Sequence, residues 1–182
     1  KIIRIQEVAQ KQRCPLLYLV DSAGARITDQ IQMFPGRRGA GKIFYNQVHM
    51  SGEVPQVCLL FGPSAAGGAY IPAFCDVVVM VNKNASMYLG SPRMAEMVIG
   101  ETVSLEEMGG ARMHTGESGC GDVLVKSEHE ALDWCKQYLA LMPRNCSRLP
   151  TKVEALTPVA GPSVRDLIPE EQNKLFDIKK LI

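Results

Sequence analysis

The sequence predicts an α/β domain made of repeated strand, loop and helix units, and three observations carry that reading. Short apolar runs recur at residues 16–20 (LLYLV), 57–61 (VCLLF) and 77–81 (VVVMV), with the length and composition of buried strands. Small or polar residues end each run: Asp21, Ser22, Ala23, Gly24 and Ala25 after the first; Gly62, Pro63, Ser64 and the stretch Ala65, Ala66, Gly67, Gly68, Ala69 after the second; Asn82, Lys83 and Asn84 after the third. Helical stretches separate the runs, as an α/β core requires.

The first helix is marked by Ile2, Ile5 and Ala9 on one stripe with Ile3 and Val8 beside it. It stops before Cys14 and Pro15, because proline turns its predecessor away from helix. Ser104 with Glu107, and Ser127 with Glu130, have the spacing of capping boxes and mark two later helix starts. After Ser127, apolar residues at Ala131, Leu132, Cys135, Tyr138, Leu139 and Met142 recur at helical spacing until Pro143. Residues 149–169 hold Pro150, Pro158, Pro162 and Pro169 with little periodicity. The expected organisation is therefore a domain over 1–150 and an extended segment over 151–182.

Composition narrows the function classes. With 46% hydrophobic residues in 182, the chain can build a sizeable core. A formal charge of +1 provides no global field for nucleic acid or an anionic membrane. No apolar run reaches the roughly 18 residues of a membrane span, so a soluble protein is expected. The six cysteines, Cys14, Cys58, Cys75, Cys120, Cys135 and Cys146, are scattered without a CxxC pair. They read as buried thiols in a reducing compartment, neither a disulfide framework nor a zinc site. The chain opens in helical periodicity without an initiator Met, which reads as a fragment and leaves a targeting segment open.

The two small-residue loops after the first and second strands are the candidate site. Missing side chains let a ligand carbonyl approach backbone N–H groups, and a helix starting near Gly67 and Gly68 adds unpaired donors for negative charge on a thioester oxygen. The same glycines suit tight helix-strand packing with no ligand, and the residues by themselves leave both readings open.

Several ordered motifs resemble the carboxyltransferase (β) subunit of biotin-dependent acyl-CoA carboxylases. They are Asp21 to Arg26 (DSAGAR), Phe34-Pro35-Gly36, Phe44-Tyr45-Asn46-Gln47, Gly62 to Tyr70 (GPSAAGGAY) with Pro72 and Ala73, Gly100-Glu101, and Gly109-Gly110-Ala111 with His114. The match is colinear, covers nearly the whole chain and is nearer the methylcrotonyl-CoA carboxylase branch than the propionyl-CoA branch. It implies a crotonase-like (ClpP/crotonase) stack of ββα units, here the amino-terminal carboxyltransferase domain, with 151–182 leading to a second domain. It further implies carboxyl transfer from carboxybiotin to an acyl-CoA through an enolate held by backbone amides. Carried over, the catalytic amides are those of Ala66 and Gly67, with Gly24 and Ala25. Ala23, Arg26, Ala65, Gly68, Ala69 and Tyr70 line the substrate. Ala23 stands where many relatives have glycine and Ser64 where many have cysteine, and neither change removes an amide. Biotin is carried on a partner subunit or domain, since no Ala-Met-Lys-Met motif is present. Coenzyme A is part of the substrate, and no metal is bound by this chain. The implied partners are a biotin carboxylase and biotin carrier subunit and further copies in a homo-oligomer, in the cytoplasm or, in a eukaryote, the mitochondrial matrix.

Other residues have plainer readings. Arg26, Arg37, Arg38 and Lys42 crowd one loop region, as phosphate ligands for coenzyme A or as a solvated basic loop. His49, His114 and His129 are too scattered for a metal site, and His114 is expected to play a structural hydrogen-bonding role. Ser22 and Ser64 lie outside any Gly-x-Ser-x-Gly elbow, while Glu106 and Glu107 suit a helix's first turn better than acid-base work. The helix from Ser91 to Ile99 is a candidate interface element with an exposed apolar face. Alternatives are a decarboxylase running the transfer in reverse, a crotonase-type hydratase or isomerase needing a pocket glutamate, and a noncatalytic module.

Overall fold

In the computed structural model, which describes residues 1–157 and 161–181, helix α1 (Ile2–Gln12) ends in a left-handed Arg13 whose N–H returns to the carbonyls of Ala9 and Gln10. Strand β1 (Leu16–Ser22) follows, then the short α2 (Gln30–Met33) and α3 (Gly41–Met50). Strand β2 (Gln56–Ala65) leads into a single 3-10 turn, Ala66–Ala69, and α4 (Tyr70–Ala73). Next come β3 (Val77–Val81), β4 (Ser86–Tyr88), α5 (Pro92–Ile99), α6 (Leu105–Gly109), α7 (Ala111–Met113) and a π-helical turn, His114–Ser118. The elements of this first unit, Lys1–Thr151, end with β5 (Val123–Val125) and α8 (Glu128–Ala140). A second unit, Lys152–Ile182, contains the one-turn α9 (Val164–Leu167), capped by Ser163 and Asp166, and a 3-10 turn at Ile178–Lys180. The extended run expected over 149–169 is irregular except for that turn, and its residues 158–160 lie outside the described residues.

The sheet is parallel, in the order β1, β2, β3, β5, with Leu16 beside Gln56, Val57 beside Val77 and Val79 beside Val123. After the turn at Asn82, Lys83 and Asn84 the chain returns to β2 as β4, placing Ser64 beside Met87. Strand β2 therefore borders three strands. It also runs four residues past its apolar stretch, through Gly62, Pro63 and Ser64 to Ala65, where the sequence suggests a loop. Pairing with β4 holds that extension straight.

Val57, Cys58, Leu59, Leu60, Val79 and Met80 are completely buried at the centre. Strand β1 differs from the doubly buried strand that LLYLV suggests: Leu16, Tyr18 and Val20 point inward, while Leu17 and Leu19 are 40% and 60% exposed. The alternation shows that one face of β1 is packed and, among the described residues, the other is left uncovered. Helix α1 likewise turns Gln6 and Ala9 inward and leaves Ile2, Ile5 and Val8 exposed. Of the cysteines, Cys58 and Cys135 are buried, whereas Cys120 and Cys146 are exposed in segments outside helices and strands, against the expectation that all six are buried.

Both anticipated helix starts form. Ser104 and Glu107 make the full reciprocal capping box. The Ser127 hydroxyl accepts from the Glu130 amide, but the Glu130 carboxylate reaches the Lys126 N–H, one residue earlier than the box prescribes. Along α8, Ala131 and Cys135 are buried, and Leu132, Tyr138 and Leu139 pack against the core, the face the periodicity indicates. Two aspartates stitch strand starts together: Asp76 accepts the Gln56 N–H at 2.8 Å and Asp122 that of Val78 at 2.7 Å.

A buried polar network joins α1, β1, α3 and β2. Gln6 Nε2 donates to the Tyr18 hydroxyl and the Ile43 carbonyl, both at 3.0 Å, while its Oε1 accepts from Asn46. The Tyr18 hydroxyl donates to Gln56 Oε1, and Gln56 Nε2 donates to the Gln47 carbonyl at 2.9 Å. Burial, opposed by the Gln6 hydrogen bond and aided by the Cys75 and Cys58 thiols, pushes the Tyr18 phenol up to about 12.

Tyr18→Phe would remove one of the two acceptors of Gln6 Nε2 and the Tyr18 donor to Gln56 Oε1, and is expected to lower unfolding free energy by about 1–3 kcal/mol, measured by urea denaturation at neutral pH. Because the folded phenol titrates above the unfolded one, its contribution is complete below about pH 10 and is lost as pH rises towards 12. The gap between wild type and the variant should narrow across that window.

Candidate functional site

The two loops singled out by sequence meet at the end of the β1–β2 pair. The register shifts between Val20 and Ser22, after which Ser22 lies beside Ser64. The Asp21 side chain lies over Gly62 so closely that any Cβ there would collide with its carboxylate, which explains the glycine inside β2. Gly24 takes a φ of +90°, and a Cβ on it would stand 3.4 Å from the Ala65 carbonyl oxygen. Gly24 thus neighbours the start of the second loop, and Ala23, Gly24, Ala25 and Arg26 are all exposed.

That second loop turns on Ala66, which has a φ of +50°, a left-handed conformation that an L side chain disfavours by about 1 kcal/mol. It breaks the extended path of β2 and starts the 3-10 turn at once. The amides of Ala66 and Gly67 open the turn, where no earlier carbonyl of the turn can pair with them, and both residues are exposed while Ala69 is buried. The Gly24 N–H is held by the Ser22 hydroxyl at 3.2 Å. Beneath the loop, Ser64 Oγ is fully buried and has no hydrogen-bond partner among the described residues. Among the described residues neither serine has an imidazole or carboxylate partner.

Helix α3 positions this corner. Gln47 Nε2 donates to the Ile71 carbonyl in α4 at 2.8 Å, and the Phe44 ring meets Tyr70 and Phe74 edge-on at 5.8 and 6.1 Å. Tyr70 stacks on Phe74. The Cys58 thiol, beside Cys75 in the same packing, is raised well above its ordinary range by its hydrogen bond to Cys75 and by burial, so it is inert structure.

Beyond Ala69 and Tyr70 opens an apolar cavity of about 620 Å³, walled by Met87, Met94, Val98 and Met108 among others. His114 borders it with both ring nitrogens engaged, Nδ1 with Ser118 Oγ and Nε2 with the Met87 carbonyl, each at 2.8 Å. The carbonyl fixes the proton on Nε2, so His114 has the structural role expected of it. Among the described residues no aspartate or glutamate lines the cavity. Glu106 and Glu107 occupy the first turn of α6, and the Ser104 hydroxyl and amide hold the Glu107 carboxyl below its usual range.

The basic residues divide. Arg37, Arg38 and Lys42 surround a surface depression with Glu7 and Tyr45, the Lys42 ammonium 4.1 Å above the Tyr45 ring, whereas Arg26 does not line it. Among the described residues no group of three or more His, Cys, Asp or Glu is placed to hold a metal ion. No described helix is long and apolar enough to cross a membrane. Sequence reasoning missed the cavity wall formed by β4, whose three residues carry no strand signal, and the role of Gln47.

The model of the carboxyl transferase domain family matches residues 1–182. The chain belongs to that family. It is 66% identical to the uncharacterized carboxylase YngE of Bacillus subtilis, over all of this chain and 36% of the relative. It is 36% identical to the mitochondrial methylcrotonoyl-CoA carboxylase beta chain of Dictyostelium discoideum, over 100% of this chain and 31% of that one. The solved transcarboxylase 12S hexamer, with methylmalonyl-coenzyme A and methylmalonic acid bound, superposes with a TM-score of 0.80 at 32% identity, over 100% of this chain and 34% of that one. The beta subunit of P. aeruginosa geranyl-CoA carboxylase gives 0.70 at 30% identity, over 99% and 33%. The fold is thus the crotonase-like α/β fold of carboxyltransferase β subunits. The chain spans about a third of the length of these relatives.

The left-handed Ala66 yields a stability test. Ala66→Val, β-branched in that conformation, is expected to lower unfolding free energy by about 1–2 kcal/mol, while Ala66→Gly stays within about 0.5 kcal/mol because relief of strain offsets added chain entropy. Thermal or urea unfolding of both variants reads the difference.

Proposed function

We propose that this chain forms the acyl-CoA half of a carboxyltransferase site in a biotin-dependent acyl-CoA carboxylase, with the remainder of the site supplied by another domain of the parent protein. The observation that carries the reading is the corner where left-handed Ala66 opens a helical turn beside Gly24, with two exposed small-residue loops side by side. Such a corner accepts a thioester carbonyl against backbone. The amides of Ala66 and Gly67, joined by Gly24 and Ala25, donate to the oxygen as it gains charge, so the enolate is stabilised more than the ground state. For Gly24 to donate, its N–H must exchange Ser22 Oγ for the substrate oxygen. Ala23, Arg26, Ala65, Gly68, Ala69 and Tyr70 surround the acyl group and its thioester.

No strong protein base is needed. Biotin, carried on a biotin carrier partner and charged by a biotin carboxylase, supplies the carboxyl group and the base. A hydratase needs a positioned glutamate in the adjoining cavity, and among the described residues its lining holds none. The same amides serve the transfer in either direction. Arg37, Arg38 and Lys42 offer charge for the phosphates of coenzyme A. Assembly into a homo-oligomer, as in the transcarboxylase 12S hexamer, completes the site.

Two measurements on the full-length parent protein test the proposal. Incubated with its biotin carboxylase and biotin carrier partner, MgATP and labelled bicarbonate, it is expected to label at least one of acetyl-, propionyl- and methylcrotonyl-CoA. Hydration of an enoyl-CoA by the subunit alone, with no labelled product, would establish the hydratase instead. Gly67→Pro removes one amide and should lower kcat by about 10²–10³-fold. Gly67→Ala, whose Cβ meets nothing within 4 Å, keeps the amide and should lose far less.

A further inference from the structure

Strand β4 is three residues long and carries no strand signal of its own, yet its pairing keeps the last residues of β2 straight up to Ala66. Whatever holds β4 therefore bears on the amide corner. On the side away from β2, the chain from Gly109 to His114 grips it. Ser86 bridges Gly110. Gly109 packs so closely that any Cβ on it would collide with the Met87 carbonyl. The His114 Nε2–H donates to that same carbonyl at 2.8 Å.

The His114 ring is itself anchored. With its proton on Nε2, Nδ1 accepts from the Ser118 hydroxyl at 2.8 Å, and the Ser118 oxygen takes the Cys120 N–H at 3.2 Å. His114 to Ser118 form a π-helical turn, a rare geometry that often accompanies functional sites.

From Met87 a single rung crosses the sheet. Met87 lies beside Ser64 in β2, and Ser64 beside Ser22 in β1. Ala66 and Gly67 follow shortly after Ser64, and the Ser22 hydroxyl holds the Gly24 N–H. The rung thus ties His114 to both small-residue loops. The Ser64 hydroxyl has no partner among the described residues, so position passes along the rung by backbone pairing.

We infer that His114 is a positioning residue for the amide corner: its bond to the Met87 carbonyl fixes β4, and β4 sets where the amides of Ala66, Gly67 and Gly24 stand. It acts through Met87 and neither gives nor takes a proton. The effect on turnover rests on the corner being the carboxyltransferase site, whereas the effect on backbone order does not.

The full-length protein is compared with three variants. His114→Phe keeps a ring without a donor, His114→Gln offers an amide donor in place of Nε2, and Ser118→Ala leaves the ring but removes its anchor. Amide hydrogen exchange, mapped by mass spectrometry, should be about twofold to tenfold faster at residues 61–68 in His114→Phe, the effect of losing one hydrogen bond. Residues 77–81 in β3 should be unchanged. In the carboxylation assay, with whichever acyl-CoA the wild type labels, kcat of His114→Phe should fall about tenfold to a hundredfold, the scale of a small misplacement of reacting groups. KM for the acyl-CoA should stay within about twofold, as for an interaction made only in the transition state. His114→Gln should restore exchange and kcat to near wild type, and Ser118→Ala should show the His114→Phe pattern more weakly.

Unaltered exchange at 61–68 in both His114→Phe and Ser118→Ala would overturn the inference. So would faster exchange that includes 77–81, or a His114→Gln as impaired as His114→Phe, because the donor would then not be what counts. If His114→Phe does not fold, the other two variants decide by the same readings. The expected exchange pattern in a protein that labels no acyl-CoA would remove the carboxyltransferase reading and leave the positioning role standing. Labelled product with kcat unchanged in every variant would do the reverse.

Discussion

Gln6 is 1% exposed, and it tolerates that position only because Tyr18, Ile43 and Asn46 each take up part of its hydrogen-bonding capacity. A buried amide with a missing partner costs more than the bond it replaces, so the network admits few alternative placements of α1, β1, α3 and β2. Its influence reaches the corner through one residue. Gln47 follows Asn46 on α3, accepts from Gln56 on its backbone carbonyl and donates its side chain to Ile71 in α4. Because α4 begins where the turn at Ala66–Ala69 ends, fixing α3 fixes the height of the turn over the sheet. Not every acceptor is satisfied, since Gln47 Oε1 is buried without a partner among the described residues. The position is set by the donor side of that amide.

The corner itself is made of backbone. A residue held at positive φ, a glycine held against a carbonyl and a strand extended by pairing with β4 place the amides. Side chains at the surface of the loop contribute little beyond being small. In the proposed carboxyltransferase, charge stabilisation falls to main-chain dipoles whose position the fold dictates.

Much of this architecture was legible in the amino-acid order. The three apolar runs became β1, β2 and β3, Ser104 with Glu107 capped α6 as spaced, and the stripe after Ser127 became the inner face of α8. The small-residue loops could be located, and the resemblance of DSAGAR and GPSAAGGAY pointed to the family. What stayed hidden depends on neighbours distant in sequence. Gly62 and Pro63 look like punctuation, yet they lie inside a strand because β4 supplies a partner. LLYLV looks doubly buried, yet only one face of β1 is packed and Leu17 and Leu19 lie on the other. Gln6, Asn46, Gln47 and Gln56 look like surface amides, and nothing local reveals that they satisfy one another inside. Asp76 and Asp122 act through strands that they do not belong to.

The edge position of β1 also bears on how a cell handles the chain as it is made. Its partner begins only at Gln56, so at roughly 5–20 residues per second of synthesis β1 waits on the order of seconds for its pair. Most strands lose their attraction for chaperones once paired. Here Leu17 and Leu19 still face outward afterwards, next to Ile2 and Ile5. Among the described residues, strand pairing alone therefore leaves one face of β1 to be covered by something other than its partner strand.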